Sequence, residues 1–301
     1  MVSGTHSFLK TYGKVFGLLV IMLLGALLPG LHRFSPLIRY LLMGMLFLAF
    51  LDIEFKPRAF RKSVLWVLLA NVALAFISSG LLASYNRLLA LAAFMTAIAP
   101  TAIAAPVIMS FLQGEIEYVI AAVLVTNVAS AVVIPIALPF LLGAQVQISV
   151  WEVLEPVLIV MLVPLALARL VTHLSPKTQQ LIRKGKSLSF LIWLANLLIV
   201  CANASHFLRN ENPGSFLMLA GMALISLALC IVNFGVGALL GGRRNWQEAS
   251  QSLGQKNLSF VIWIALTFVN PLVAMGPTFY ILYHHLYNSW SIYRFEKRRL
   301  L

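Results

Sequence analysis

Apolar residues fill this chain in long runs, and polar residues are confined mostly to the short gaps between them. Ten such runs lie near 15–31, 36–53, 63–84, 87–112, 117–142, 151–172, 188–208, 215–240, 246–269 and 273–293. Each is close to the roughly 20 residues that a helix needs to cross a bilayer. In lipid a helix satisfies its own backbone, so the pattern predicts an all-α polytopic membrane protein with ten transmembrane helices. The first run follows Lys10 and Lys14 and could pass for a secretory signal. It has no small-x-small cleavage site and many similar runs follow, so it is expected to be a retained first helix.

Two of the runs are interrupted. In the fourth, Pro100-Thr101-Ala102-Ile103-Ala104-Ala105-Pro106 holds two prolines, each of which removes an intrahelical donor and crowds the preceding turn. The pair predicts an unwound break near mid-membrane, whereas Pro135, Pro139 and Pro164 read as kinks. In the ninth, Leu253-Gly254-Gln255-Lys256-Asn257-Leu258-Ser259 is a polar knot. Lys256 lies there roughly 16 Å from the nearest charged end of its run at about 1.5 Å per residue, too far for its stem to reach water. An ionisable residue at such depth is by default a functional-site hypothesis. Pro100, Pro106 and Gly254 are the expected break positions.

The breaks fall in the fourth segment of each half when the chain is divided at the short loop 143–150. Five is odd, so two five-helix halves, about 10–142 and 151–293, would enter the membrane from opposite sides as inverted repeats of a single membrane domain spanning 1–301. The long basic loop 172–187 is the one connection that reads as a linker. Paired breaks are the best sequence pointer to a transport site, and half-helix N-termini there favour anionic groups. Thr101, Ile103 and Pro106 of the first break and Asn257 of the second are the candidate substrate contacts.

Composition agrees with a bilayer. Of 301 residues 61% are hydrophobic and 10% charged, against about 25% charged in a soluble domain, and the mean hydropathy is +0.93. The net charge of +13 is not a nucleic-acid signal. Of the 22 Lys and Arg, 17 fall in the N-terminus, the 2–3, 6–7 and 8–9 loops and the tail, while Arg33, Arg39, Arg87 and Arg209 fall on the other side and Lys256 within the ninth run. The positive-inside rule then puts both termini in the cytoplasm. Cys201 and Cys230 lie in apolar segments as packing residues, and no metal or cofactor site is expected. Adjacent on a helix, His284 and His285 point apart and make no metal pair.

The chain resembles the bile acid:sodium symporter family in its bacterial branch. The resemblance rests on Met43-Gly44-Met45 through Asp52-Ile53-Glu54-Phe55 with Pro57-Arg58, on Pro100 through Gly114, on Ser252 through Phe260, and on Tyr283-His284-His285-Leu286 with Asn288-Ser289. It implies a panel of helices 1, 2, 6 and 7, a core of helices 3–5 and 8–10, broken helices four and nine crossing at the substrate site, and sodium-driven movement of organic anions. His285 approaches the substrate cavity by family position. The departures concern the cation. Positions that help bind one sodium in the family are Ala105 and Pro106 here, and the hydroxyl partners in helix five fall on Val119 and Val123. In helix nine the glutamate position is Ser252 and the glutamine position Lys256, while the helix-three glutamine falls on Asn71. A methyl group cannot replace a hard oxygen ligand.

An ammonium with three donors could hold the oxygen groups that sodium would bridge. Lys256 is therefore the candidate cation surrogate, with Asn71, Ser252, Gln255 and free carbonyls at the breaks as partners. The alternative is that it lines a water-filled cavity. Thr126, Asn127 and Ser130 of segment five and Asn196, Asn203 and Ser205 of segment seven read as hydrogen-bonding to neighbouring helices. Asp52 and Glu54 read as a solvated ion-pair cluster, and Glu115 and Glu117 as solvated loop residues.

The function expected is a secondary carrier for a small organic or amphipathic anion in a bacterial inner membrane, working by alternating access without the family's sodium sites. A sodium- or proton-coupled symporter and a non-transporting receptor or sensor are the alternatives. A membrane enzyme acting on lipid or isoprenoid would need a carboxylate or histidine cluster for a metal-bound diphosphate, and the sequence offers none. Oligomeric state is not legible.

Overall fold

Proline and glycine divide the chain's helices into unequal pieces. The computed structural model describes residues 16–17, 19–51, 60–143, 148–171, 173–174, 176–184, 188–210 and 216–299. Asp52, Glu54 and the rest of the 52–59 stretch lie outside them. The helices are α1 (residues 19–27), α2 (Leu37–Phe50), α3 (Lys62–Ala83), α4 (Arg87–Ile98), α5 (Ala105–Phe111), α6 (Ile116–Leu142), α7 (Val150–Val171), α8 (Pro176–Lys184), α9 (Ser189–Asn210), α10 (Phe216–Gly254), α11 (Leu258–Phe268) and α12 (Met275–Arg299). A 3-10 turn, Pro29–Phe34, joins α1 to α2. Among the described residues the only β contact is an isolated antiparallel bridge between Thr101 and Lys256.

Among the described residues, five helices are long and apolar enough to cross a membrane: α3, α6, α7, α9 and α10. Helices α2, α4 and α11 are shorter and apolar. The shortness of α4 and α11 has a local cause, because the apolar runs 87–112 and 246–269 are each cut in two. Pro106 sits in the first turn of α5, where its missing N–H breaks no helical bond. By contrast Pro135 and Pro139 lie inside α6, and Pro156 and Pro164 inside α7, with both helices continuing through them.

Two connections differ from the sequence expectation. The 172–187 stretch, expected to be a linker, contains α8. Its sequence PKTQQLIRK supplies a proline at the first helical position followed mostly by good helix formers. The long helix α10 bends at Gly242, which adopts φ +60°, and at Asn245, so that a shorter arm, residues 246–254, turns back against the first. A left-handed φ of that kind favours glycine. The bend is held by Arg61, which donates to Asn245 Oδ1 at 3.0 Å and pairs with Glu115 at 2.5 Å. Glu115 was expected to be simply solvated; the neighbouring guanidinium instead gives it a partner.

The helices pack in two sets. Helix α2 lies against α7 and α9, and α9 against the 3-10 turn, while α3, α4, α5, α6, α10, α11 and α12 pack on one another. The sets meet where α6 touches α7 and where α11 touches α2 and α9. Asn203 donates to Ser35 Oγ at 2.6 Å and Ser205 to the Ala26 carbonyl at 2.6 Å within the first set. Asn196 was expected to bond in the same way, but both its amide atoms are buried without a hydrogen-bond partner among the described residues.

Candidate functional site

The two breaks meet. Helix α4 ends at Ile98, and residues 99–102 leave it in extended conformation. They run antiparallel to 255–257, which follow the short arm of α10. Asn257 N–H donates to the Pro100 carbonyl at 2.7 Å and Ala102 N–H to the Gln255 carbonyl at 2.8 Å. Buried backbone polar groups need partners, and an unwound segment has lost its own helical ones. Each break supplies partners to the other.

Ends of half-helices also carry orphan carbonyls and a partial negative charge. At the end of α4, Lys256 Nζ donates to the Ala97 carbonyl at 2.7 Å, and it also bonds Asn71 Oδ1. Asn71 in turn donates from Nδ2 to the Ile98 carbonyl at 3.2 Å, and Ser130 Oγ donates to the same carbonyl at 2.8 Å. The lysine is 2% exposed. At the end of α10 the groups are neutral: Thr101 Oγ1 donates to the Ser252 carbonyl at 2.6 Å and Tyr280 OH to the Gly254 carbonyl at 2.7 Å. Gly254 must be small, because a Cβ there would lie 2.3 Å from the Phe234 ring.

Helix α6 braces the first break from the side. Thr101 N–H donates to Thr126 Oγ1 at 2.9 Å, and Asn127 Nδ2 donates to the Thr101 carbonyl at 3.1 Å. Thr126 and Asn127 therefore bond the unwound backbone at Thr101, while Ser130 bonds a neighbouring helix as expected, through the Ile98 carbonyl at the end of α4. The reason is that extended residues offer free backbone groups that a continuous helix would not.

The named residues separate on this geometry. Lys256 and Asn71 are together. Ser252 and Gln255, expected as further partners of the lysine, do not bond it: the Ser252 hydroxyl donates to the Glu248 carbonyl at 2.7 Å, one turn back in its own helix, and Gln255 Oε1 is buried without a partner among the described residues. A serine hydroxyl within a helix reaches the i−4 carbonyl more readily than a group across an interface. Thr101 is 1% exposed, with its hydroxyl and both backbone groups engaged in holding the crossing together. Ile103, half-buried, packs against the main apolar core. Pro106 is half-buried at the start of α5, and Asn257 is half-buried at the N-cap of α11 with no side-chain capping bond. His285, also half-buried, lies away from the breaks along α12 with its ring 5.2 Å from that of Trp193 on α9.

The match to a known family covers this whole region. A model of the SBF-like CPA transporter family (DUF4137) matches residues 53–287, which include both breaks, Asn71, Lys256 and His285. The chain belongs to the SBF-like CPA transporter family. No curated protein matched it. Membership in this family, related to the bile acid:sodium symporters, together with the long apolar helices, makes the chain an integral membrane protein of a transporter family. A non-enzymatic role fits that membership. In this SBF-like chain Ala105, Val119 and Val123 are fully buried, and none of them carries a side-chain oxygen.

Sequence reasoning missed the hydroxyl of Tyr280 and the pairing of Gln251 Nε2 with Asn288 Oδ1 at 3.0 Å. A signal was present: Tyr280, His284 and Asn288 recur every four residues on the tenth run, and Gln251 and Gln255 do so on the ninth. Polar residues at that spacing share a helix face.

Proposed function

We infer that this protein is a carrier of small organic or amphipathic anions that works by alternating access and needs no sodium, with the Lys256 ammonium in the role of a bound cation. The observation that carries the reading is the bonding of Lys256 Nζ to Asn71 Oδ1 and to the Ala97 carbonyl at the C-terminal end of α4. A half-helix end and an amide oxygen are what a small cation would bind, and a covalently attached ammonium takes its place there. The apolar side chains of Ala105, Val119 and Val123 favour the loss of a further sodium site.

The same reading takes the chain as ten membrane-crossing helices in two inverted repeats, about 10–142 and 151–293, in the bacterial branch of the wider family, with both termini in the cytoplasm of an inner membrane. The separate packing of α2, α7 and α9 from α3–α6 and α10–α12 supports a panel and a core. The anion would meet the N-terminal end of α11 at Asn257, where the helix dipole is positive and no side chain caps the amides, with Pro106 at the start of α5 and His285 beside Trp193 of α9 as further contacts. The test is uptake of a set of radiolabelled carboxylates and sulfonates into proteoliposomes, with sodium replaced by potassium or choline. Uptake that persists without sodium is expected. A steep dependence on sodium overturns the reading.

A further inference from the structure

The connection from α7 to α9 carries charge of one sign. Between Glu155 and Glu211 the sequence has no acidic residue, yet it holds Arg169, Lys177, Arg183, Lys184 and Lys186. Glu152 and Glu155 lie early in α7, at the opposite end of that helix from Arg169. The 52–62 connection, on the same side in the proposed topology, has Asp52 and Glu54 but also Lys56, Arg58, Arg61 and Lys62, so it adds no net negative charge.

Helix α8 turns part of this charge outward. Lys177 and Lys184 are exposed, and a step of seven residues returns a helix to nearly the same face. Ile182, about 140° round the helix from Lys177, is half-buried and packs against the main apolar core. The helix thus rests on the protein by one side and shows a basic face on the other. Apolar side chains flank that face. Leu167, Leu170 and Leu174, at and just beyond the end of α7, and Leu188, just before α9, are 44–61% exposed, and Arg169 is exposed among them. The chain stays wound there, with His173 N–H donating to the Leu170 carbonyl at 3.0 Å and Leu174 N–H to the Val171 carbonyl at 3.1 Å.

The tethers limit where this face can lie. Residues 172–175 join α8 to α7, and 185–188 join it to α9; four residues reach about 14 Å at full extension. Helices α7 and α9 are both long and apolar enough to cross a membrane, so α8 is held at the surface of the leaflet where they end. That places it within about two screening lengths of the lipid headgroups at physiological salt. We propose that α8 and the end of α7 form a docking surface for anionic phospholipids, with Lys177, Lys184 and Arg169 on the headgroup phosphates and Leu170 and Leu174 against the acyl boundary. Long basic side chains reach outward to phosphate while neighbouring leucines sit deeper, which is how an interfacial basic helix engages a membrane. A nucleic acid or an acidic protein would meet the same charge but leave the leucines in water. The surface anchors the set of α2, α7 and α9 to one leaflet. The inference rests on the membrane crossing of α7 and α9 in the proposed topology, and not on carrier activity.

Lipid preference can be read without any substrate. The full chain is purified in a neutral detergent and mixed with equal amounts of phosphatidylglycerol and phosphatidylcholine, and the lipid that co-elutes on gel filtration is quantified by mass spectrometry. A Lys or Arg at an anionic surface contributes about fivefold to binding. The wild type is therefore expected to retain several-fold more phosphatidylglycerol, Lys177→Gln, Lys184→Gln to lose most of that preference, and Lys177→Arg, Lys184→Arg to keep it. Arg33→Gln, which removes an exposed charge from the turn between α1 and α2, should keep it too. Should the glutamine variant fail to fold, a salt series on the wild type replaces it: raising salt from about 0.05 M to about 0.5 M shortens the screening length and should shrink the preference. Equal retention of the two lipids, a preference unchanged by the glutamine pair, one lost equally in Arg33→Gln, or one indifferent to salt overturns the proposal. So does displacement of the lipid by an equal concentration of glycerol phosphate, which would make the ligand a free phosphate. Absent anion uptake with an intact lipid preference would sink the carrier reading alone. Labelling of Ser149→Cys and Lys177→Cys from the same side of a vesicle by an impermeant maleimide would instead sink the crossing of α7.

Discussion

The two breaks are built from different materials. The first, at 99–104, is opened by residues unable to continue a helix: Pro100 removes a donor, and Pro106 starts a new helix instead of extending the old one. The second, at 255–257, has no proline. Its helix stops where Gly254 is pressed against Phe234 and where the backbone of the first break offers replacement bonds to Gln255 and Asn257. Their caps differ as well. Neutral hydroxyls of Thr101 and Tyr280 close the end of α10, whereas the end of α4 is closed by an ammonium. That ammonium belongs by sequence to the second break and by bonding to the first. Neither break is satisfied alone.

The comparison breaks most directly at Lys256. Lys256→Met keeps an unbranched side chain one atom shorter and removes the donors, leaving the Ala97 carbonyl and Asn71 Oδ1 unpaired beside a negative helix end. Two orphaned polar groups at about 1–3 kcal/mol each give an expected destabilisation of about 3 kcal/mol. Thermal unfolding in detergent should show it as a large drop in melting temperature. A melting temperature unchanged from the wild type would mean that the crossing does not depend on the ammonium. Next in size is Gly254→Ala, which tests whether close approach is what ends the arm of α10. The added methyl collides with the ring of Phe234, and overpacking of that kind costs about 1–3 kcal/mol. Phe234→Leu should relieve the collision, so that the double variant is more stable than Gly254→Ala alone.

Much of this architecture was legible in the sequence because the bilayer imposes it. Runs of about 20 apolar residues announce spanning helices, and Pro100, Pro106 and the polar knot around Lys256 mark where two of them stop. Asn71 was a candidate partner of the lysine only by its position in a family pattern. What could not be read was the assignment of bonds at the crossing. Ser252 and Gln255 are neighbours of Lys256 in sequence, yet the antiparallel pairing turns their side chains elsewhere and brings the Ala97 carbonyl, 159 residues away, to the ammonium. A carbonyl leaves no trace in residue type. The same limit hid the bend at Gly242, which depends on the arm of α10 folding back, and the bonds that tie Thr101 to Ser252 and to α6.

Thr101 offers the finest test of how the breaks depend on each other. Its hydroxyl is the only side-chain donor to the Ser252 carbonyl among the described residues, and it lies 3.0 Å from Thr126 Oγ1. Thr101→Val leaves shape and backbone pairing intact while orphaning that carbonyl. The expected loss is about 1 kcal/mol, since Thr126 keeps its bond to the Ala122 carbonyl at 2.7 Å and suffers little. The informative quantity is not this loss but its coupling to Lys256. If the two breaks form one bonded unit, the combined Thr101→Val, Lys256→Met variant should lose less than the sum of the single losses, because both substitutions remove bonds from the same crossing. Strict additivity in melting experiments would mean that each break holds its own helix end, and that the bridge between them only records their closeness.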